Sequence, residues 1–304
     1  MVTRREDGPL AWQSKVVLLL VLPWTAGSVI LQSHWWLTQV PVVAYETLGI
    51  SAIFGLIVWR MRAGTPGAAF TGALITASLM YSTVQYPYKT SWLHGGLMPL
   101  LAVFLLTYAA MKVGRAKKER LGTGESKRGR NAAQVAANLG VAALAATPLA
   151  LFTANSMLER TFEAIGAFMI MVPLAEAAAD TVSSELGQVF GGQPRMITTL
   201  RRVEKGTDGG ITLVGTLAGA MAALVVMIVG FWAIHGTRSI VGSWVSIALG
   251  TACGVFGLLF DSLIGATLER RGWLGNDAVN FLSTLSSVVF AVVLLTVLAL
   301  NLRA

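Results

Sequence analysis

Residues 173–216 read PLAEAAADTVSSELGQVFGGQPRMITTLRRVEKGTDGGITLVGT. An apolar helix runs into Glu176, Asp180 and Glu185, and a second apolar helix begins at Ile211. Between them lie Gly191-Gly192, Pro194-Arg195, Thr198-Thr199, three further cations (Arg201, Arg202 and Lys205) and Gly209-Gly210. The sequence on either side is mostly apolar. Carboxylates, glycines, hydroxyls and cations gathered into one connector point to phosphate or ion chemistry at the end of a membrane bundle.

Composition sets the surroundings of this connector. The chain has 304 residues, 55% of them hydrophobic and only 12% charged, where a soluble domain carries about 25% charged residues. Most of its surface must therefore face lipid. The net charge of +8 needs no nucleic-acid partner. In a membrane protein excess Lys and Arg record orientation, and a basic groove for an anionic ligand is compatible with that. The single cysteine, Cys253, excludes an intrachain disulfide and reads as a packing residue. His34, His94 and His235 are far apart in sequence and fall in loops on the outer side, which argues against a zinc site.

The expected fold is all-α, a polytopic membrane protein of about nine transmembrane helices. Spans near the roughly 20 apolar residues that a bilayer requires fall at 16–33, 40–59, 66–84, 93–112, 132–154, 162–181, 211–233, 240–265 and 280–301. Pro66 opens the third helix, where its missing donor costs nothing. The first span, after Arg4, Arg5 and Lys15, also fits a signal peptide, but keeping it as an anchor makes the charge topology consistent. Of the 23 Lys and Arg, all but Lys89, Arg160, Arg238 and Arg303 then fall on one side. The positive-inside rule makes that side cytoplasmic. It holds the N-terminus and the connectors 112–131, 181–210 and 266–280, and it leaves the C-terminus outside. The expected location is the bacterial inner membrane.

The polar groups lie in those connectors and at the helix ends beside them. Glu176 and Asp180 stand i, i+4 on one helix face. A carboxylate in a span costs roughly 2.5–3.5 kcal/mol, so it normally faces a cavity or a partner. With Ser183, Ser184 and Glu185 they offer hard oxygens suited to magnesium. Asp261, Gly265 and Glu269 form a second stripe. The connector 112–131 is strongly basic, which serves either as a stop-transfer cluster or as part of a site. Asn131, Gln134 and Asn138 follow at helical spacing, either bonding a neighbouring helix or extending a polar cleft. Arg195 is either a structural ion-pair partner or a phosphate ligand. Gly206-Thr207-Asp208-Gly209-Gly210 leads into a helix N-terminus, a place that binds anions. It lacks the GxxxxGK[ST] pattern of a P-loop, and such glycines also serve as plain turns. Gly215-x-x-x-Gly219 and Gly250, Gly254 and Gly257 read as helix-packing faces. Asp277 fits an N-cap of the last helix, and Asn280 lies a turn inside it.

Taken in order, these motifs resemble an integral-membrane family known as domain of unknown function 92. The resemblance rests on Gly129-Arg130-Asn131-Ala132-x-Gln134-Val135-x-x-Asn138, Ala179-Asp180-Thr181-x-x-Ser184-Glu185-x-Gly187 and Pro194-Arg195-x-Ile197-Thr198-Thr199. It continues in Gly206-Thr207-x-Gly209-Gly210, Asp261-Ser262-x-x-Gly265-Ala266 and Asn276-Asp277-x-x-Asn280. It covers roughly 45–302, so residues 1–44 form an N-terminal anchor region outside it and 45–304 a membrane-embedded catalytic domain. Lys205, where the pattern has proline, and Asp208, where it has serine, depart from it. Plant and cyanobacterial members of that family include phytyl-phosphate kinases. The resemblance therefore implies transfer of a phosphoryl group from a nucleoside triphosphate, CTP, to an isoprenyl monophosphate, with Mg2+ as cofactor. Under that reading Asp180 and Asp261 hold magnesium with Glu185 in support. Arg195, Lys205 and the Gly209-Gly210 backbone bind phosphates, and Arg128, Arg130 and Asn131 clamp nucleotide or acceptor. Gln134, Asn138, Ser184, Thr198, Thr199, Gly206, Thr207, Asn276, Asp277 and Asn280 line the binding region.

Two other readings use the same residues. A lipid-phosphate cytidylyltransferase needs the same metal and cations but releases pyrophosphate. A transporter or flippase uses intramembrane carboxylates, though here the polar groups gather at one face rather than at the midplane.

Overall fold

In the computed structural model, which describes residues 10–84, 88, 93, 95–121, 129–152, 157–235 and 243–301, helices dominate. They are α1 (Ala11–Gln39), α2 (Pro41–Arg60), α3 (Pro66–Ser82), α4 (Leu97–Lys112) and the short α5 (Arg115–Leu121). Next come α6 (Ala132–Phe152), α7 (Met157–Phe190), α8 (Leu213–His235), α9 (Trp244–Ile264) and α10 (Asn276–Asn301). A small antiparallel ribbon, β1 (Arg195–Met196) with β2 (Gly210–Ile211), folds the connector between α7 and α8. A π turn over Gly265–Glu269 extends α9.

Six of the described helices are long and apolar enough to cross a membrane. These are α1, α2, Ile165–Phe190 of α7, Leu213–Ile234 of α8, α9 with its π turn, and α10. The chain is an all-α integral membrane protein, but the expected nine spans are not established. α3 has 17 residues and α4 has 16, which at 1.5 Å per residue reach about 24–26 Å, short of a hydrocarbon layer of about 30 Å. The shorter apolar part of α6 ends at Thr147.

Several boundaries also differ from expectation. α7 stays helical to Phe190, so the connector expected at 181–210 begins at Gly191. The segment 112–131 contains α5. α8 starts at Leu213, because Gly210-Ile211 pair with Arg195-Met196 and the Thr212 hydroxyl accepts from the Gly215 amide at 3.0 Å. The Gly-rich turn is thus separated from the helix N-terminus by a strand and a cap residue. α10 begins at Asn276, which puts Asp277 in its first turn rather than at the cap.

Small residues make α7 the axis. Leu174, Ala175, Ala178 and Ala179 are fully buried. At Gly219 of α8 a Cβ would stand 2.6 Å from the Ala179 carbonyl oxygen, so the two backbones meet there, as close-packed membrane helices do. Gly254 brings α9 close to α7 as well, with a Cβ there 3.2 Å from the Glu176 amide nitrogen. Ile170, Met171, Met227, Ile247 and Cys253 fill the core around this junction. α1, α2 and α3 share a second core at Val29, Trp36, Val43 and Tyr81, and α1 rests on α6 through Val17, Val21, Ala136 and Ala137. Leu19, Leu31, Val292 and Val293 are exposed and meet lipid, where helices satisfy their own backbone bonds.

One end of the bundle collects the polar connectors. The Gln13 amide donates to the Trp273 carbonyl at 2.9 Å and accepts from the Gly275 amide at 2.8 Å. Thr65 donates its backbone N–H to the Arg130 carbonyl at 2.9 Å, and Arg130 donates to Ala63 at 3.1 Å. Lys117 and Lys118 reach from α5 to Val189 and Glu185 near the end of α7.

Candidate functional site

The site begins where α7, α9 and α10 meet. Glu176 is 1% exposed. Its side chain lies against Gly257, where a Cβ would overlap its Cγ. Thr284 on α10 donates its hydroxyl to Oε2 of Glu176 at 2.8 Å. Asp180 follows one turn along α7. Asp261 on α9 lies within electrostatic reach of Asp180, Glu176 and Glu269. The Ser283 hydroxyl lies close to both Glu176 and Asp261 and donates to the Asn280 carbonyl. Among the described residues, Oε1 of Glu176 and Oδ2 of Asp261 are buried and find no hydrogen-bond partner. Such orphaned acceptors are uncommon and call for an explanation.

The connector between α7 and α8 forms a cap over this junction. Ile197 donates to Gly209 at 3.0 Å, Val203 to Pro194 at 2.9 Å and Met196 to Arg201 at 2.9 Å. The cap's buried side carries Pro194 and Met196. Gly209 has φ +77°, and a Cβ there would overlap Ala266. Only glycine meets both demands, and the Gly209 backbone consequently lies on the π turn that follows Asp261. π turns inside helices occur frequently at functional sites.

A third contribution comes from the start of α6. Arg130 Nη2 donates to the Thr181 hydroxyl at 3.2 Å, which fixes the guanidinium to the turn of α7 that carries Asp180. Asn131 and Gln134 form a reciprocal cap. The Gln134 amide donates to Asn131 Oδ1 at 2.9 Å, and the Asn131 amide donates to Gln134 Oε1 at 2.8 Å, a capping box. Asn138 is buried and donates to the Gln134 carbonyl at 2.7 Å.

The structure therefore brings Asp180, Asp261, Arg130, Gly209 and Asn280 to one end of the bundle around the α7, α9 and α10 junction, while Gly210 packs within the connector on Thr207, Val203 and Pro194. It sets other expected residues apart. Glu185 pairs with Lys118, whose side chain is 3% exposed and which also donates to the Ala110 and Met111 carbonyls. Arg195 is exposed and donates to the Leu200 carbonyl at 2.9 Å. Thr198 and Thr199 lie on the exposed side of the cap. Lys205 donates to the Gln188 carbonyl at 3.1 Å, near the end of α7. Ser184 is exposed and donates to the Thr181 carbonyl. Gly206 and Thr207 form the turn that ends in Gly209, and Asn276 and Asp277 open α10. Arg128 lies outside the described residues.

Among the described residues no three His, Cys, Asp or Glu side chains converge on one metal position. The residues the sequence reading left without a role are Glu269, Ser283, Thr284 and Gln13. Glu269 was visible as the end of the Asp261 stripe. The hydroxyls and Gln13 carried no local signal.

Comparison with known proteins places the chain in a family. The family described as Integral membrane protein DUF92 matches residues 49–288. The membrane protein MJ0933 of Methanocaldococcus jannaschii is 36% identical over 198 residues, 65% of this chain and 75% of the relative. Protein PGR of Arabidopsis thaliana is 36% identical over 187 residues, 57% of this chain and 65% of that protein. The chloroplastic protein VTE6 of the same plant is 28% identical over 198 residues, 64% of this chain and 57% of that protein. No solved structure matches. The chain belongs to the integral membrane protein family DUF92.

Proposed function

We propose that this protein is a membrane kinase that transfers the γ-phosphoryl group of CTP to an isoprenyl monophosphate such as phytyl phosphate. The observation that carries the reading is the juxtaposition at one bundle end of the Arg130 guanidinium, the Asp180 and Asp261 carboxylates and the Gly209 backbone. Phosphoryl transfer requires positioning and charge stabilisation more than covalent chemistry. An acceptor phosphate is already anionic, so an oxygen of it attacks the γ-phosphorus without a strong base. The bond from the γ-phosphorus to the β–γ bridging oxygen breaks, CDP leaves, and the prenyl diphosphate forms.

The donor set fits magnesium. Asp180 and Asp261 offer hard oxygens, and two carboxylate oxygens at the junction are buried without partners. Magnesium typically takes one or two carboxylates and completes its shell with phosphate and water, so a full protein cage is unnecessary. When bound it neutralises phosphate charge. Arg130 holds a phosphate as a planar fork. The apolar acceptor tail lies in the bilayer while its phosphate reaches the polar end. That end is cytoplasmic in this reading, α1–α4 and α6–α10 all span, and the membrane is the bacterial cytoplasmic one.

Purified protein supplied with Mg2+, labelled CTP and a panel of isoprenyl monophosphates tests the reading. CDP together with a prenyl diphosphate supports it. Pyrophosphate with a cytidylated lipid would move the protein to the cytidylyltransferases, and no turnover by folded protein would turn attention to transport.

A further inference from the structure

We propose that Glu176 and Asp261, both close to the Ser283 hydroxyl, form a buried divalent-cation site at the junction of α7, α9 and α10. The choice of Mg2+ as its natural occupant rests on the kinase reading. The site itself rests on how few protons serve how many oxygens. Ser283 donates its single hydroxyl proton to the Asn280 carbonyl at 2.9 Å. Thr284 has one proton and two acceptors, the same carbonyl at 2.6 Å and Glu176 Oε2 at 2.8 Å. Two hydroxyl protons thus face one carbonyl and two carboxylates, and Oε1 of Glu176 and Oδ2 of Asp261 are left over. Oxygen lone pairs crowded in this way repel unless a proton or a cation sits among them, and burial strengthens the repulsion; uptake of Mn2+ separates the two.

The fold has made room for this arrangement. Gly257 is the residue of α9 that faces Glu176, and any side chain there would displace the carboxylate. Among the described residues no Lys or Arg bonds either orphaned oxygen, whereas Glu185, the other candidate ligand on α7, is held by Lys118. All the available groups are hard oxygens, which favour Mg2+ or Mn2+ over softer metals. The protein supplies two carboxylates and a hydroxyl, and water or phosphate completes the shell.

Mn2+ titration of the purified full chain, followed by the electron paramagnetic resonance signal of free Mn2+ and without nucleotide, reads the site directly. Wild type should bind Mn2+ and release it to excess Mg2+. Glu176→Gln should weaken binding by about tenfold or more, since losing even an outer partner of a ligand costs 10–100-fold. Glu185→Gln should bind as wild type does. Gly257→Ala keeps every carboxylate but pushes Glu176 aside, and should weaken binding as well. Melting of each variant in the same detergent shows that it is folded. No Mn2+ uptake by wild type, or wild-type affinity in Glu176→Gln, overturns the site. CTP turnover measured on the same preparations separates the two claims. Mn2+ binding without turnover removes only the kinase reading, and turnover with no Glu176-dependent binding removes only the cation site.

Discussion

Asp261 and Glu185 are both carboxylates near the polar end of the bundle, yet their surroundings assign them opposite tasks. Asp261 has a buried oxygen with no partner and faces Asp180, Glu176 and Glu269. Glu185 is neutralised by a buried lysine. Asp261→Asn keeps the shape and removes the charge, so CTP turnover should fall by about 10²–10³-fold, the scale of losing one preorganised electrostatic contact, with melting unchanged or raised. Full turnover in that variant would remove Asp261 from the chemistry. Glu185→Gln should do the reverse. It leaves Lys118 buried without its counter-charge, at a cost of about 3 kcal/mol, visible as earlier denaturation in mixed micelles, while turnover per folded molecule stays at the wild-type level. Spacing alone could place Glu176 and Asp180 on one face, because i, i+4 neighbours always share one. It could not separate Glu185 from them, because that depends on α5 folding back 67 residues away. The capping-box use of Asn131 and Gln134 was readable in principle from their three-residue spacing, yet a stripe of amides in a membrane helix has the same spacing.

At the scale of elements, the family match begins at residue 49, yet α1 is joined to the functional end. Gln13 makes both of its bonds to the short link between α9 and α10, one to Trp273 and one to Gly275. It is 8% exposed, so neither bond competes freely with water. Gln13→Ala leaves the Gly275 amide without its partner, a loss of about 1–3 kcal/mol concentrated where α10 begins. Hydrogen exchange of residues 275–278 should quicken in this variant, and turnover should drop while Mn2+ binding persists. Unchanged exchange there would make α1 a plain anchor. The cap between α7 and α8 offers a second test. Gly209→Ala must adopt a positive φ and overlap Ala266, so it should lift the cap from the π turn and raise the KM for CTP more than it lowers melting. The helices themselves were largely legible, since long apolar runs bounded by Gly, Pro and charge leave few choices. The ribbon was not legible, because Gly210-Ile211 reads as the start of α8 until Arg195 pairs across from it. The clasp from Gln13 joins residues 260 positions apart, beyond any local pattern.

At the scale of the whole molecule, hydrogen bonds fix which connectors share an end, independently of any charge count. Gln13 ties the start of α1 to the α9–α10 link, Thr65 and Arg130 tie the α2–α3 turn to the start of α6, and Lys118 ties α5 to the end of α7. Lys205 ties the α7–α8 connector to the end of α7, and these segments carry Arg60, Arg62, Lys112, Arg120, Arg201, Arg202, Arg270 and Arg271. One end is therefore strongly basic, and under the proposed function the rule that Lys and Arg remain in the cytoplasm turns that end inward, toward nucleotide. α10 starts at this end with Asn276 and is long and apolar enough to cross, which under the same reading carries Asn301 to the other side. A fluorescent protein that matures only in the cytoplasm, fused after Ala304, should stay dark. The same protein inserted at Gly124, in the basic connector, should be bright. Fluorescence from the Ala304 fusion would reverse or break this topology and would also deny CTP access to Arg130, Asp180 and Asp261 from the side where it is made. The orientation and the kinase reading thus stand on one measurement that requires no substrate.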